Sequence, residues 1–204
     1  MIFKKRISDK SFRVIFFLLS LGFVCDLYAL YLLYQHKVNY LTYNLFILVE
    51  GVFIGIFFYQ ILDAKLIKRI LLVTGIGFTI YSLYKFFSIG DQVYLNSCLT
   101  IENISILAFA VYYYYEQIIK INTTFIFNQP RFWIVTAYLI SIAGTFFLSL
   151  YLPTFNNEDQ EKYYVLNYIF VILRTILISF AMLMKTEGTT TRKNNLKVST
   201  SLTE

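Results

Sequence analysis

The sequence predicts an all-α fold, a polytopic transmembrane bundle of six helices with its N- and C-termini in the cytoplasm. Of the 204 residues, 58% are hydrophobic, whereas a similar count for ordinary soluble domains gives about 45–50%. The apolar residues form long blocks separated by short polar stretches, and about 20 such residues in a helix cross the roughly 30 Å hydrocarbon layer of a bilayer. The basic residues, in turn, gather in alternate segments between the blocks, as the positive-inside rule requires.

Six blocks qualify as spans by length and composition. They are Phe12–Tyr34, Leu41–Leu62, Ile70–Phe87, Tyr94–Ile118, Phe132–Leu152 and Tyr163–Met184. Barrel strands are a poor alternative, because they are about 10 residues long with alternating polarity, whereas these runs are longer and continuous. The third block has the weakest pattern, since it is short and contains Gly75 and Gly77. Residues 185–204 are polar and predict a disordered cytoplasmic tail.

The charge distribution predicts the orientation. With the N-terminus inside, the cytoplasmic segments hold fourteen of the eighteen basic residues: Lys4, Lys5, Arg6, Lys10, Arg13, Lys65, Lys68, Arg69, Lys120, Arg131, Lys185, Arg192, Lys193 and Lys197. The outer segments hold Lys37, Lys85 and Lys162, and Arg174 lies within the sixth block. We therefore expect a multi-pass protein of the bacterial cytoplasmic membrane.

The net charge of +6 does not indicate nucleic-acid binding, because the surplus lies at the membrane borders, where it meets anionic lipid headgroups. The runs of tyrosine, including Tyr112–Tyr115, are typical of an interfacial aromatic belt. Cys25 and Cys98 form no CxxC motif and are expected to be packing residues. Neither a metal-binding HExxH, a nucleophile elbow nor a phosphate-binding glycine loop occurs. The sequence thus predicts no enzyme, no metal and no cofactor.

Four ionisable residues lie deep in the predicted spans: Asp26, Glu50, Glu102 and Arg174. Counted inward from the outer ends at 1.5 Å per residue, all four lie about 12–16 Å deep. A charge at this depth costs about 2.5–3.5 kcal/mol on insertion scales, so such side chains usually face the bundle interior and pair. Asn103 adjoins Glu102, and Asn167 lies seven residues before Arg174 on the same helix face. These six residues are the candidate ligand- or ion-binding site.

The buried set contains three carboxyl groups and one cation. Desolvation and like-charge repulsion both disfavour the ionised carboxylate, so we expect at least one of Asp26, Glu50 and Glu102 to be protonated near neutral pH. A purely structural interpretation remains open, in which a Glu–Arg pair only fixes the packing of the helices. The GxxxG pair Gly51 and Gly55, directly after Glu50, predicts a close helix approach.

The segment "FNQPRFWIVTAYLISIAGTFF" leads into the fifth block with a Pro-x-Phe-Trp motif, and the second and fourth blocks carry one acid each. Together these features resemble small uncharacterised bacterial multi-pass proteins that are similar to the membrane sensor modules of histidine kinases. The resemblance covers most of the chain and implies a sensor or signalling-accessory role, with a membrane or cytoplasmic signalling partner. A kinase domain is not part of the 204 residues.

Two other functions stay open at this stage. A small proton- or ion-coupled transporter or channel subunit would use Glu50, Glu102 and Arg174 as its coupling site, and would favour a homodimer. Pro130 and Pro153 both lie at predicted helix ends, so the broken mid-span helices of many transporters are not predicted. A structural membrane scaffold would need the charges only for packing.

Overall fold

The computed structural model describes residues 9–35, 40–89, 96–120, 126–151 and 157–184, with all side chains in these ranges except those of residues 33, 89, 96, 147–151, 157–164 and 167. The described residues form six α-helices, one short 3-10 helix (Ile126–Asn128) and no strand. The helices are α1 (Lys10–Tyr34), α2 (Tyr40–Ile61), α3 (Lys65–Ile89), α4 (Asn96–Ile119), α5 (Pro130–Tyr151) and α6 (Asn157–Leu183). The predicted all-helical class is therefore confirmed, whereas the predicted tail, 185–204, lies outside the described residues.

Each helix coincides with one predicted block, but two of the helices begin at least five residues earlier than predicted. Helix α3 starts at Lys65 and α6 at Asn157, where the sequence predicted starts at Ile70 and Tyr163. Both extra segments are charged, because a helix continues through polar residues once its apolar part has nucleated it. An apolar block corresponds to the lipid-compatible part of a helix and does not include the polar turns beyond it.

Among the described residues, three helices are long and apolar enough to cross a membrane. They correspond to Lys10–Leu32, Tyr40–Ile61 and Lys65–Ser88, with mean hydropathies of 2.1, 1.9 and 1.6. Helix α6 contains a shorter apolar stretch, Tyr168–Leu183. Large apolar side chains such as Phe23, Val24 and Ile76 are exposed along these helices, which fits contact with lipid better than contact with water.

Helix α2 is central, since it packs against α1, α3 and α4, while α5 packs against α4 and α6. The larger core cluster joins the first halves of α1, α3 and α5 to the second halves of α2, α4 and α6. Along α4 its inward side is a stripe with spacings of three and four residues: Asn103, Ile106, Ala110, Tyr113 and Gln117. This spacing keeps one side of a helix against its neighbours. A smaller cluster of Ile47, Phe78 and Cys98 lies in the other half of the bundle.

The helix ends on the side of the larger core carry most of the described cations, and we call this side the basic end. It comprises the starts of α1, α3 and α5 and the ends of α2 and α4. Glu116 of α4 accepts hydrogen bonds from the backbone N–H groups of Asp63 and Ala64, each at 3.1 Å, just before α3 begins. Lys120, one turn after Glu116, forms an ion pair with Asp63. Helix α4 thereby caps the start of α3 from a neighbouring helix, a role usually taken by a local side chain.

The tyrosine run at the end of α4 is only partly an interfacial belt. Tyr113 is buried in the larger core, and Tyr114 shares a 2.7 Å hydrogen bond with Thr136 of α5. Tyr115 is exposed. Since four consecutive helical residues point in different directions, the run contributes to the core and to the surface at once.

Close helix approach occurs at one of the two glycines predicted for it. A methyl group on Gly51 would lie 2.5 Å from the ring of Phe78 on α3, whereas Gly55 has open space around it. A second close approach joins α5 and α6, where a methyl group on Gly144 would overlap the ring of Phe170. Glycine is needed at Gly51 and Gly144 for packing space.

Candidate functional site: a buried polar layer

The central feature of the polar layer is an ion pair between α2 and α6. Arg174 donates a hydrogen bond from Nη1 to Oε1 of Glu50 at 2.9 Å. Both side chains are largely buried, with 13% of Glu50 and 20% of Arg174 exposed. The two residues are 124 positions apart in the chain, and the depth argument from sequence had placed them at the same level. At this position the pair connects two helices that are distant in sequence.

Glu102 of α4 lies next to this pair and differs from it in having no hydrogen-bond partner. It is 3% exposed, and both carboxyl oxygens are buried without a partner among the described residues. The charged groups of Glu50 and Arg174 act on its carboxyl group. A buried ionised carboxylate needs a partner, because desolvation otherwise makes the charged form very unfavourable. We therefore expect Glu102 to be protonated in the observed arrangement.

Arg174 also has unused hydrogen-bonding capacity. Its Nε is buried and has no partner among the described residues, while its guanidinium carbon lies 5.3 Å from the centre of the Tyr138 ring on α5. Stacking on an aromatic face stabilises a desolvated guanidinium. Among the described residues, the layer thus contains an unpaired N–H group on Arg174 and an unpaired carboxyl group on Glu102.

Tyr138 was missed by the sequence analysis. It is buried, and in the sequence it resembles the many other aromatic residues of a chain that is 20% aromatic. A signal was nevertheless present, because Tyr138, Ser141 and Thr145 recur at spacings of three and four residues and form a polar line on one side of α5. Such a line in a membrane helix indicates the side that faces other helices.

Asp26 does not face the interior as predicted. Its side chain is exposed on α1, although the charge of Arg174 still acts on it. The inward side of α1 passes through Leu18 and Ala29, and Asp26 is three residues before Ala29, about 60° around the helix from it. Asp26 therefore lies at the edge of the layer.

The two predicted asparagines have different outcomes. Asn103 is buried at 8% exposure, on the inward stripe of α4 next to Glu102. Asn167 belongs to α6, but its side chain lies outside the described part of the structure. The polar layer as the structure describes it consists of Glu50, Glu102, Asn103, Tyr138 and Arg174, with Asp26 at its edge.

The chemistry available to this layer is proton exchange and polar recognition. Glu50 and Arg174 pair with each other, while the carboxyl group of Glu102 and the Nε–H of Arg174 have no partner among the described residues. A proton or a small polar ligand can bind to these unpaired groups. Within the described ranges, no group of three or more His, Cys, Asp and Glu side chains could hold a metal ion. Covalent catalysis would require a hydroxyl or thiol nucleophile that is hydrogen-bonded to a base. The described hydrogen bonds around the acids include no such pair.

Comparison of the chain with protein-family models, with curated proteins and with solved structures gives no match. Function must therefore follow from the site itself, which is the safer basis in any case, since one fold can support many functions.

Proposed function

We propose that the protein is a six-span integral membrane protein of the bacterial cytoplasmic membrane, acting as a sensor or signalling-accessory module through its polar layer. The observation that carries this proposal is the free carboxyl group of Glu102 beside the closed Glu50–Arg174 pair. If the layer served only to fix the packing of the helices, we would expect all its acidic and basic groups to be paired. A free acid next to a pair gives the layer a second arrangement that it can adopt.

The second arrangement follows from losing the proton of Glu102. An ionised Glu102 is attracted to Arg174, whose Nε–H is free to donate, and it repels Glu50. Arg174 is then shared between α2 and α4. A proton, or a ligand that donates a hydrogen bond to Glu102, selects between these states because it binds one of them more tightly.

The output passes along α4 to the basic end. Glu116 lies fourteen residues after Glu102, about 21 Å along the helix, and holds the start of α3. Tyr114 connects the same part of α4 to α5. A shift of α4 at Glu102 therefore displaces the ends of α3 and α5, where a membrane or cytoplasmic signalling partner would contact the protein.

Trp133, the single tryptophan of the chain, makes this proposal testable. It lies near the start of α5 and donates a hydrogen bond from Nε1 to the carbonyl of Phe127 at 2.8 Å. We expect the Trp133 fluorescence of the purified protein to change with pH in step with the infrared band of a protonated carboxyl. Glu102→Gln, which mimics the neutral acid, should abolish both changes, and the exposed control Asp63→Asn should keep both.

A pH titration without a Glu102-dependent infrared change would contradict the proposed site. An infrared change without a Trp133 response would contradict the proposed route to the basic end.

Proton- or ion-coupled transport is the second candidate, favoured by the position of Asp26. This exposed carboxyl group on α1 interacts electrostatically with Arg174. A proton could therefore pass between the edge of the layer and its interior. Flux into proteoliposomes that is lost in Glu102→Gln and Glu50→Gln, yet kept in Asp63→Asn, would favour transport over signalling.

A further inference from the structure

An open cleft of about 460 Å³ lies at the basic end, away from the polar layer. Its walls come from the start of α1, the end of α2, the first turn of α3 and the start of α5. The charged side chains lining it are Asp9, Lys10, Lys68 and Arg131. Four helices that are separated in sequence therefore contribute to one small basic cleft.

Asp9 and Arg131 form the fixed part of this cleft. Arg131 donates from Nη2 to Oδ2 of Asp9 at 2.8 Å, and Ser11 donates its backbone N–H and its hydroxyl to Oδ1. Burial raises the pKa of Asp9, but the hydrogen bonds from Arg131 and Ser11 outweigh it, and the pKa of Asp9 lies below its usual value. Asp9 is thus ionised at neutral pH and neutralises one of the three cations.

Lys10 and Lys68 remain as surplus positive charge. Neither makes an ion pair with a carboxylate in the described part of the chain, in contrast to Lys120, which pairs with Asp63. Lys68 lies over the ring of Tyr59, with Nζ 5.1 Å from the ring centre. This contact holds its ammonium group at the wall of the cleft.

The cleft also contains polar groups suited to a headgroup. Gln60 lines it, and the Oε1 atom of Gln60 is buried without a partner among the described residues. The cleft adjoins Tyr59, a half-exposed aromatic residue at the end of an apolar span, where the lipid headgroup layer would lie. Basic pockets between helices on this side of a membrane bind anionic headgroups.

We propose that this cleft binds the phosphate group of an anionic phospholipid, with Lys10, Lys68 and the remaining N–H groups of Arg131 as its donors. The headgroup phosphate lies between the two lysines, beside Gln60. This site is independent of the proposed role of Glu102.

The test measures binding of short-chain phosphatidylglycerol to the detergent-purified full-length protein, by native mass spectrometry. Inorganic phosphate and phosphatidylcholine are the comparison ligands. We expect Lys10→Gln/Lys68→Gln to weaken phosphatidylglycerol binding about 25-fold, at roughly fivefold for each lysine. The matched control Lys65→Gln/Arg69→Gln removes the same charge from the same end, outside the cleft, and should weaken binding clearly less than the cleft variant does.

A charge-keeping variant, Lys10→Arg/Lys68→Arg, should retain binding, which separates loss of the site from loss of fold. Equal weakening by the two glutamine pairs would overturn the proposal, because a diffuse surface charge would then be sufficient. Equal binding of phosphatidylcholine, or no binding of phosphatidylglycerol, would also overturn it. If inorganic phosphate binds as tightly as the lipid, the assignment to a lipid is wrong.

Discussion

At the scale of single residues, the strongest constraint in the molecule is the environment of Arg174. Its guanidinium contacts Glu50 and stacks over Tyr138, and its Nε has no partner in the described part of the chain. Replacing a buried ion pair by apolar residues of similar size is often neutral, whereas removing one partner leaves a lone buried charge. The layer should therefore tolerate the loss of both charges much better than the loss of one.

A double-mutant cycle tests this expectation. We expect Glu50→Gln and Arg174→Gln each to lower the free energy of unfolding by about 3–5 kcal/mol. The double variant should lose clearly less than the sum of the two, because it leaves no unpaired charge. Unfolding in detergent, followed by circular dichroism, gives the four values.

The exposed pair of Asp63 and Lys120 provides the control. Asp63→Asn and Lys120→Gln remove an ion pair whose side chains are 70% and 37% exposed, and such a pair contributes less than about 1 kcal/mol. Strict additivity at Glu50 and Arg174 would show that the observed pair has no energetic coupling.

At the scale of helices, the sequence predicted the six helices well and the contacts between them poorly. Each span follows from a local property, the length of an apolar run, so one sequence contains the information needed. The cap that Glu116 provides for α3 joins residues 52 and 53 positions apart, and no local pattern reveals it. Likewise, counting residues inward from the helix ends placed Glu50 and Arg174 at one depth. It could not assign Asp26 to the edge of the layer, because the side of α1 that faces the bundle depends on how α1 packs against its neighbours.

The α5–α6 contact gives a prediction at this scale. These two helices pack together most extensively, and Gly144 is the position where the ring of Phe170 lies against the α5 backbone. Gly144→Ala should lower the unfolding free energy by about 1–3 kcal/mol, since a crowded site must shift to admit a methyl group. Thermal unfolding in detergent measures the change.

Gly55→Ala is the matched control, because Gly55 is also a mid-helix glycine but has nothing within 4 Å of the added methyl group. Alanine favours the helix by about 0.5–1 kcal/mol over glycine, so Gly55→Ala should be neutral or stabilising. A stabilising Gly144→Ala would mean that α5 and α6 do not approach as closely as described.

At the scale of the whole molecule, the contacts at the basic end determine how the helices alternate. Asp9 and Arg131 join the starts of α1 and α5, while Glu116 joins the end of α4 to the start of α3. Helices with these connections run up and down in turn, so the described basic residues that the charge rule placed in the cytoplasm gather at one end: Lys10, Arg13, Lys65, Lys68, Arg69, Lys120 and Arg131. This gathering supports the proposed six passes.

Cysteine labelling in intact cells tests the six-pass topology directly. In a background of Cys25→Ala and Cys98→Ala, Gln35→Cys marks the end of α1 and Phe127→Cys marks the basic end. Both parent side chains are exposed, and the two positions lie at opposite ends of the bundle.

The positive-inside rule places the end rich in Lys and Arg in the cytoplasm. A membrane-impermeant maleimide should therefore label Gln35→Cys in intact cells, and should label Phe127→Cys only after the membrane is permeabilised. Labelling of both positions in intact cells would refute the alternation, and labelling of Phe127→Cys alone would reverse the orientation, moving the basic cleft and the proposed signalling surface to the outer face.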